Sequence, residues 1–193
     1  MSKNSKSSKA SLKGQTNRIR VKKTCSWKEI YTSICKASVT KTGLNSELIE
    51  KYLNNCAVGN FLGCYAQNQL RTITIKSLPV YIVVNFDHSY SEGTHWIALR
   101  IGKKKLEIWD PLGFQTRRWP NFPFLLLEFL HKFSKHRKIF LCNEIQPVNS
   151  TLCGFYCIFF IIFRSSNKFS ACTDYFSDLT LNDQILTNFF NKL

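Results

Sequence analysis

The apolar segment at residues 155–163 restricts the possible folds of this chain more than any other feature. It is less than half as long as the ~20 residues that a membrane-spanning helix needs. A helix that is apolar on every side must instead be covered by other elements of the same domain. We therefore predict a central buried helix that begins at Cys153. The chain has 193 residues, of which 44% are apolar, and this is enough to cover such a helix within one domain.

The rest of the chain mixes helical and strand patterns. Apolar residues recur at three- and four-residue steps, as in amphipathic helices, over residues 26–34, 46–53, 123–133 and 174–193. Ser46 is the predicted cap of the second of these helices. β-branched and aromatic residues, which are typical of strands, dominate residues 80–86, 95–101, 106–109 and 138–145. The mixture predicts a single α+β domain.

Positive charge is concentrated at the start of the chain. Lys and Arg outnumber Asp and Glu by 27 to 12, which gives a net charge of +15. Residues 1–24 hold +8 of this charge, contain no acidic residue and have little to bury. We predict that they form a disordered basic arm ahead of a domain over residues 25–193. The surplus of charge indicates a polyanionic partner, most often nucleic acid.

Basic clusters in both parts are candidate DNA contacts. They are Arg18, Arg20, Lys22 and Lys23 in the arm, and Lys103, Lys104, Lys105, Arg117 and Arg118 in the domain. Any one cluster is equally well explained as a solvated turn, and the arm as a nuclear localisation signal.

The eight cysteines include no C-x-x-C pair, so the usual zinc spacings are missing and no metal site is predicted. The polar, basic N-terminus lacks the apolar run of a secretory signal. We expect reduced thiols in a protein that is not secreted and does not enter a membrane.

Two polar residues lie at the ends of neighbouring predicted strands. His95 begins one strand and Asp110 follows the next, and a tight turn at residues 102–105 joins the two. Antiparallel strands joined in this way bring the start of one beside the end of the other. We therefore expect Asp110 to orient His95 and to stabilise its protonated form.

Cys153 begins the predicted buried helix, after a loop at residues 147–151. Backbone N–H groups and the helix dipole favour a thiolate at such a position, and a thiolate beside a histidine is a nucleophile for acyl transfer. Gly154 is expected to let a substrate backbone approach closely. Gln146, predicted to end the preceding strand, is a candidate oxyanion donor together with the Cys153 N–H.

Each of these residues also has an ordinary structural explanation. A cysteine that begins an apolar helix is most often a small core residue, and a histidine that opens a strand is usually structural. Aspartate before proline is very often only a turn former. The order of the four residues, each at the end of an element, favours the catalytic interpretation. Metal binding by His95 and Cys153 is not expected, because no further ligand lies at helical or hairpin spacing.

Several segments resemble the adenovirus maturation proteases, the adenain family. They are Phe61-Leu62-Gly63-Cys64-Tyr65, Gly93-Thr94-His95-Trp96, Trp109-Asp110-Pro111-Leu112-Gly113-Phe114 and residues 146–154 with the pair Cys153-Gly154. The resemblance covers about residues 59–165. It implies a mixed central sheet of the papain-like type, with the nucleophile on a buried helix.

The resemblance also implies roles for the four residues. Cys153 would be the nucleophile, His95 the general base and Gln146 the oxyanion donor. Asp110 would be the orienting acid, at a position where adenovirus enzymes usually have Glu.

The resemblance further implies a monomeric cysteine endopeptidase that processes capsid or virion precursor proteins. Such an enzyme works in the virion, the host nucleus or a cytoplasmic viral factory. The chemistry needs no cofactor, but DNA and a disulfide-linked peptide activate the family. Cys142 lies in the corresponding region, although its distance from Gln146 does not match. Because the adenovirus enzymes lack the basic arm, virophages and transposons of the Maverick or Polinton type are alternative sources.

Two other functions stay open. Proteases that deconjugate SUMO or ubiquitin-like proteins share His-Trp, Asp and Gln…Cys-Gly, but they typically have Asp directly before the nucleophile, where this chain has Leu152. A DNA-binding virion protein without activity would explain the charge, but it would not explain the ordered set of four residues.

Overall fold

The computed structural model describes residues 43–56, 58–114, 122–166 and 175–192. The predicted arm, the predicted helix at residues 26–34, Arg117 and Arg118 lie outside these ranges. In chain order the described elements are α1 (Ser46–Asn55), β1 (Phe61–Ala66), a 3₁₀ helix (Gln67–Thr72), β2 (Val80–Asn85), β3 (Trp96–Ile101), β4 (Lys105–Trp109), α2 (Phe124–Ser134), β5 (Lys138–Leu141), α3 (Cys153–Ser165) and α4 (Asn182–Lys192).

The five strands form one mixed sheet in the order β1-β2-β3-β4-β5. The inner strands β2, β3 and β4 are antiparallel, and each outer strand runs parallel to its neighbour. This arrangement confirms the predicted α+β fold with a mixed central sheet.

Both faces of the sheet are covered by helices. On one face, Leu126, Phe129 and Leu130 of α2 pack against β2, β3 and β4. On the other face lies α3, whose residues from Cys153 to Ile161 are all buried. Helices α1 and α4 cover the outer side of α3. The apolar segment is therefore the central buried helix that its sequence predicts. No helix of the described ranges is long and apolar enough to span a membrane.

Three expectations about local structure were wrong. Asn45, and not Ser46, caps α1, because its side chain accepts the N–H of Leu48 at 2.9 Å. The strand predicted over residues 138–145 ends at Leu141. Strand β4 ends at Trp109, so the chain beyond Cys142 has no strand to pair with, and the last bond to β4 joins Cys142 N–H to the Ile108 carbonyl. Gln146 therefore does not end a strand but lies in the loop that follows.

Candidate active site

His95 and Asp110 meet at one end of the β3–β4 hairpin, as their sequence positions predict. Nε2 of His95 lies 2.7 Å from Oδ1 of Asp110, and both side chains are buried. Because a carboxylate only accepts hydrogen bonds, the imidazole Nε2–H is the donor. The same oxygen accepts the backbone N–H of Leu112 at 3.1 Å, so the turn after β4 holds the carboxylate in place.

The surroundings of His95 stabilise its protonated form. Burial by itself lowers the pKa of His95, but hydrogen bonds and charge interactions with Asp110 and Cys153 outweigh this effect and raise the pKa to about 9. The edge of Phe86 packs against the ring, with the two ring centres 5.0 Å apart. At neutral pH the side chain is therefore an imidazolium held between a carboxylate and a cysteine.

Cys153 contributes the third group of the site. It is buried, it is the first residue of α3, and its side chain hydrogen bonds to His95. Because Nε2 of His95 is engaged by Asp110, Nδ1 is the nitrogen that remains for the sulfur. Cys157 lies one turn further along the same helix, and burial raises its pKa well above the ordinary value. Cys153 therefore lies beside the His95 imidazolium, whereas Cys157 is a core cysteine.

Position 154 requires glycine for a different reason from the one expected. A Cβ at this position would lie 3.0 Å from Cβ of Leu44 and 3.2 Å from Cδ1 of Ile49. The space beside Gly154 is therefore filled by α1 and the residue before its cap, and it is not open to a substrate backbone. The glycine allows α1 to pack closely on α3.

Gln146 is 1% exposed and lies in the loop before Cys153. Its Nε2 donates to the carbonyl of Ser150 at 2.8 Å, which uses one of the two N–H bonds of the amide group. The backbone N–H groups of Ile145 and Gln146 both donate to the carbonyl of Pro111 at 2.8 Å. The loop that carries Gln146 is thus attached to the turn that carries Asp110.

Sequence reasoning missed one contact that holds the start of α1 at the site. The indole N–H of Trp96, the residue after His95, donates to the carbonyl of Leu44 at 2.7 Å. The two residues are 52 positions apart, and no motif pairs them. The tryptophan in the His-Trp pair was the available signal, because a half-buried indole needs an acceptor for its N–H.

The arrangement has the parts of a nucleophilic acyl-transfer site. A cysteine at a helix start, a protonated histidine and an orienting carboxylate form the unit that attacks a carbonyl carbon. Within the described ranges, no group of three or more His, Cys, Asp or Glu side chains is placed to hold a metal ion.

The described members of the predicted DNA contacts lie away from this site. Lys103, Lys104 and Lys105 are exposed at the turn between β3 and β4, at the opposite end of the hairpin from His95 and Asp110. The N–H of Lys138 donates to the carbonyl of Lys104, so the start of β5 and the end of α2 before it bring further lysines close to this turn. We call the exposed lysines of this region the basic surface; they are Lys103, Lys104, Lys105, Lys132, Lys135 and Lys138.

Comparison with known protein families gives a match over most of the domain. The model of the adenovirus endoprotease family matches residues 61–178, more than half of the chain. The matched segment contains His95, Asp110, Gln146 and Cys153. No curated protein matches the chain.

Proposed function

Because the chain belongs to the adenovirus endoprotease family, we propose that it cuts capsid or virion precursor proteins during the maturation of a virus particle. The chain is a cysteine endopeptidase whose substrates are proteins, and a virion or an infected cell is the setting of such an enzyme. The observation that carries the proteolytic part of the proposal is the buried His95, which hydrogen bonds to Asp110 at 2.7 Å and to Cys153.

The proposed reaction follows from these contacts. The Cys153 thiolate attacks the scissile carbonyl carbon, and the negative charge moves to the carbonyl oxygen. The Cys153 backbone N–H and the second side-chain N–H of Gln146 stabilise this oxyanion. His95 then gives its proton to the leaving amine, which releases one product and leaves a thioester. A water molecule that loses its proton to His95 hydrolyses the thioester and restores the thiolate.

A precursor-cleavage assay tests the proposal. Purified wild-type protein and a Cys153→Ala variant are incubated with capsid proteins encoded by the same genome, and the products are identified by mass spectrometry. We expect discrete cuts with the wild type and none with the variant. The capsid role is wrong if a short peptide is cut while every precursor stays intact. Preferential cleavage of a SUMO-type fusion would instead support the deconjugase.

We propose DNA as a second partner, bound without sequence preference. The support is the basic surface, because residues 102–105 and 131–138 contain no acidic residue. Hydrogen bonds join the two segments, since the Lys138 N–H donates to the carbonyl of Lys104 and the Arg137 side chain donates to the carbonyl of Gly102 at 2.7 Å. Phosphates binding along such a surface release counterions, which provides affinity without reading bases.

A peptide activator is also proposed from the family resemblance. Cys142 is half-buried, and its Sγ lies 2.8 Å from the backbone carbonyl oxygen of Asn143 and 3.3 Å from that of Asp110. A disulfide between this cysteine and a peptide would therefore act on the turn that carries the orienting carboxylate.

A further inference from the structure

A side chain of the last helix reaches the backbone that carries Gln146. Asn182 is the first residue of α4 and is 1% exposed. Its Nδ2 donates to the backbone carbonyl of Ile145 at 2.8 Å. Asn182 lies beyond the segment that the family model matches, which ends at residue 178. Its contact with the active site is therefore a feature of this chain that the family match does not cover.

With the hydrogen bond from Asn182, both polar atoms of the peptide group between Ile145 and Gln146 have a partner. The carbonyl of Ile145 and the N–H of Gln146 belong to the same planar peptide unit. The N–H donates to the Pro111 carbonyl at 2.8 Å, and the carbonyl accepts from Asn182. Because its N–H and its carbonyl oxygen are both hydrogen bonded, this peptide plane resists tilting about the chain axis. The two bonds therefore restrict the direction in which the Gln146 side chain leaves the backbone.

Helix α4 is a firm support for this bond. The turn before α4 is held by Asp178, whose backbone carbonyl accepts the N–H groups of Leu181 and Asn182, both at 3.0 Å. The hydroxyl of Tyr156, on the helix of the nucleophile, donates to Asp183 at 2.9 Å. Phe190 packs against Phe155 with ring centres 5.5 Å apart. Asn182 therefore joins the Gln146 loop to α4, which itself packs on α3, the helix that carries Cys153.

We propose that Asn182 is a positioning residue for the oxyanion site, acting through the Ile145–Gln146 peptide group. The inference rests on the proposed role of Gln146 as oxyanion donor. Without the Asn182 donor, the Ile145 carbonyl loses a buried hydrogen bond and the peptide group gains freedom to tilt. A donor displaced by a fraction of an ångström stabilises the transition state less, while substrate binding is unaffected.

The test is a double-mutant cycle on a peptide substrate. Asn182→Ala removes the donor, and Asn182→Asp removes it at nearly constant volume. Asn188→Ala, at an exposed position of the same helix, is the matched control. We expect about 10-fold lower kcat at unchanged KM for both Asn182 variants, with kcat unchanged in Asn188→Ala.

The second half of the cycle separates positioning from a general structural role. Gln146→Ala should lower kcat by ~10²-fold, and adding Asn182→Ala to it should change kcat less than twofold, because the donor to be positioned is already gone. An equal loss in both backgrounds, or an unchanged kcat in Asn182→Ala alone, would overturn the inference.

Hydrogen exchange gives a readout that needs no activity. Asn182→Ala should speed exchange of the Gln146 backbone amide at least ~10-fold, while Asn188→Ala leaves it unchanged. An unchanged exchange rate in Asn182→Ala overturns the positioning role. A wild-type protein that cuts no peptide would refute the proposed function, and the exchange data would still decide whether Asn182 holds the peptide group.

Discussion

The charge on His95 is the central property of the site at the scale of the residue. Its pKa of about 9 means that the imidazole is protonated at neutral pH, between Asp110 and Cys153. In a cysteine protease this state lets the histidine deliver a proton to the leaving amine without first removing one from the thiol. The carboxylate stabilises this state at the 2.7 Å bond, and burial opposes it.

The raised pKa of His95 predicts a pH dependence of stability. Its value is 6.5 in the unfolded chain and about 9 in the folded protein. The folded state therefore binds this proton more tightly, and the stabilisation is complete below about pH 6.5 and is lost as the pH rises through about 9. Relative to His95→Gln, the unfolding free energy of the wild type should fall by up to ~3 kcal/mol over this range.

Urea unfolding at pH 6 and at pH 10 measures this effect. His136→Gln, at an exposed histidine, is the control and should show no such pH-dependent difference from the wild type. An equal difference between the wild type and His95→Gln at both pH values would contradict the assignment of the charge.

At the scale of the element, the turn after β4 connects Asp110 to the loop that carries Gln146, the proposed oxyanion donor. Asp110 begins the turn, the Pro111 carbonyl accepts two N–H groups of the loop, and Gly113 lies against Glu144. Gly113 has φ of +80°, and a Cβ there would lie 3.1 Å from the backbone nitrogen of Glu144. Both the backbone conformation and the close approach therefore require glycine.

Gly113→Ala should consequently destabilise the protein by about 1–3 kcal/mol, because it adds a strained backbone conformation and a clash with backbone atoms. Gly59→Ala is the matched control, since a Cβ at Gly59 has no heavy atom within 4 Å and no positive φ is required there. Urea denaturation compares the two. If both variants lose the same free energy of unfolding, the positive φ of Gly113 and its close approach to Glu144 do not make glycine necessary in this turn.

The sequence could predict those contacts that follow from a single hairpin. The positions of His95 and Asp110 at the ends of two strands joined by a short turn were enough to place them together. The place of Gln146 was predicted wrongly, because the end of β5 depends on where its partner β4 ends. Strand β1 was not predicted, since glycine interrupts its apolar pattern. Asn182 gave no signal at all, because its partner is 37 positions away and is a backbone atom.

At the scale of the whole molecule, the described part of the chain places the proposed catalytic residues and the basic surface far apart. His95 and Asp110 lie at one end of the β3–β4 hairpin and the basic surface begins at the other end, a distance of ~20 Å for strands of this length. DNA bound at the basic surface, as proposed above, would therefore not occupy the proposed active site.

This separation predicts that DNA binding can be weakened without loss of peptide cleavage. Replacing Lys103, Lys104 and Lys105 by Gln should reduce the slope of log affinity against log salt by up to ~0.9 for each phosphate of duplex DNA that the variant no longer neutralises. Lys51→Gln, at an exposed lysine of α1, should leave the slope unchanged. Deleting residues 1–24 should reduce the slope further, because the arm carries +8. Fluorescence anisotropy at several salt concentrations measures the slopes, and binding that is insensitive to salt would contradict the proposal.

In the proposed reaction, Cys153 and His95 act as one nucleophilic unit. The most direct test is the turnover of a fluorogenic peptide by purified wild type, Cys153→Ala, His95→Ala and, as a control, Cys56→Ala, a partly exposed cysteine in another part of the fold. Circular dichroism establishes that each variant is folded. We expect Cys153→Ala and His95→Ala each to lose at least ~10³-fold in kcat, since such residues act together, and Cys56→Ala to keep wild-type turnover. Undiminished turnover by folded Cys153→Ala would contradict the proposed reaction.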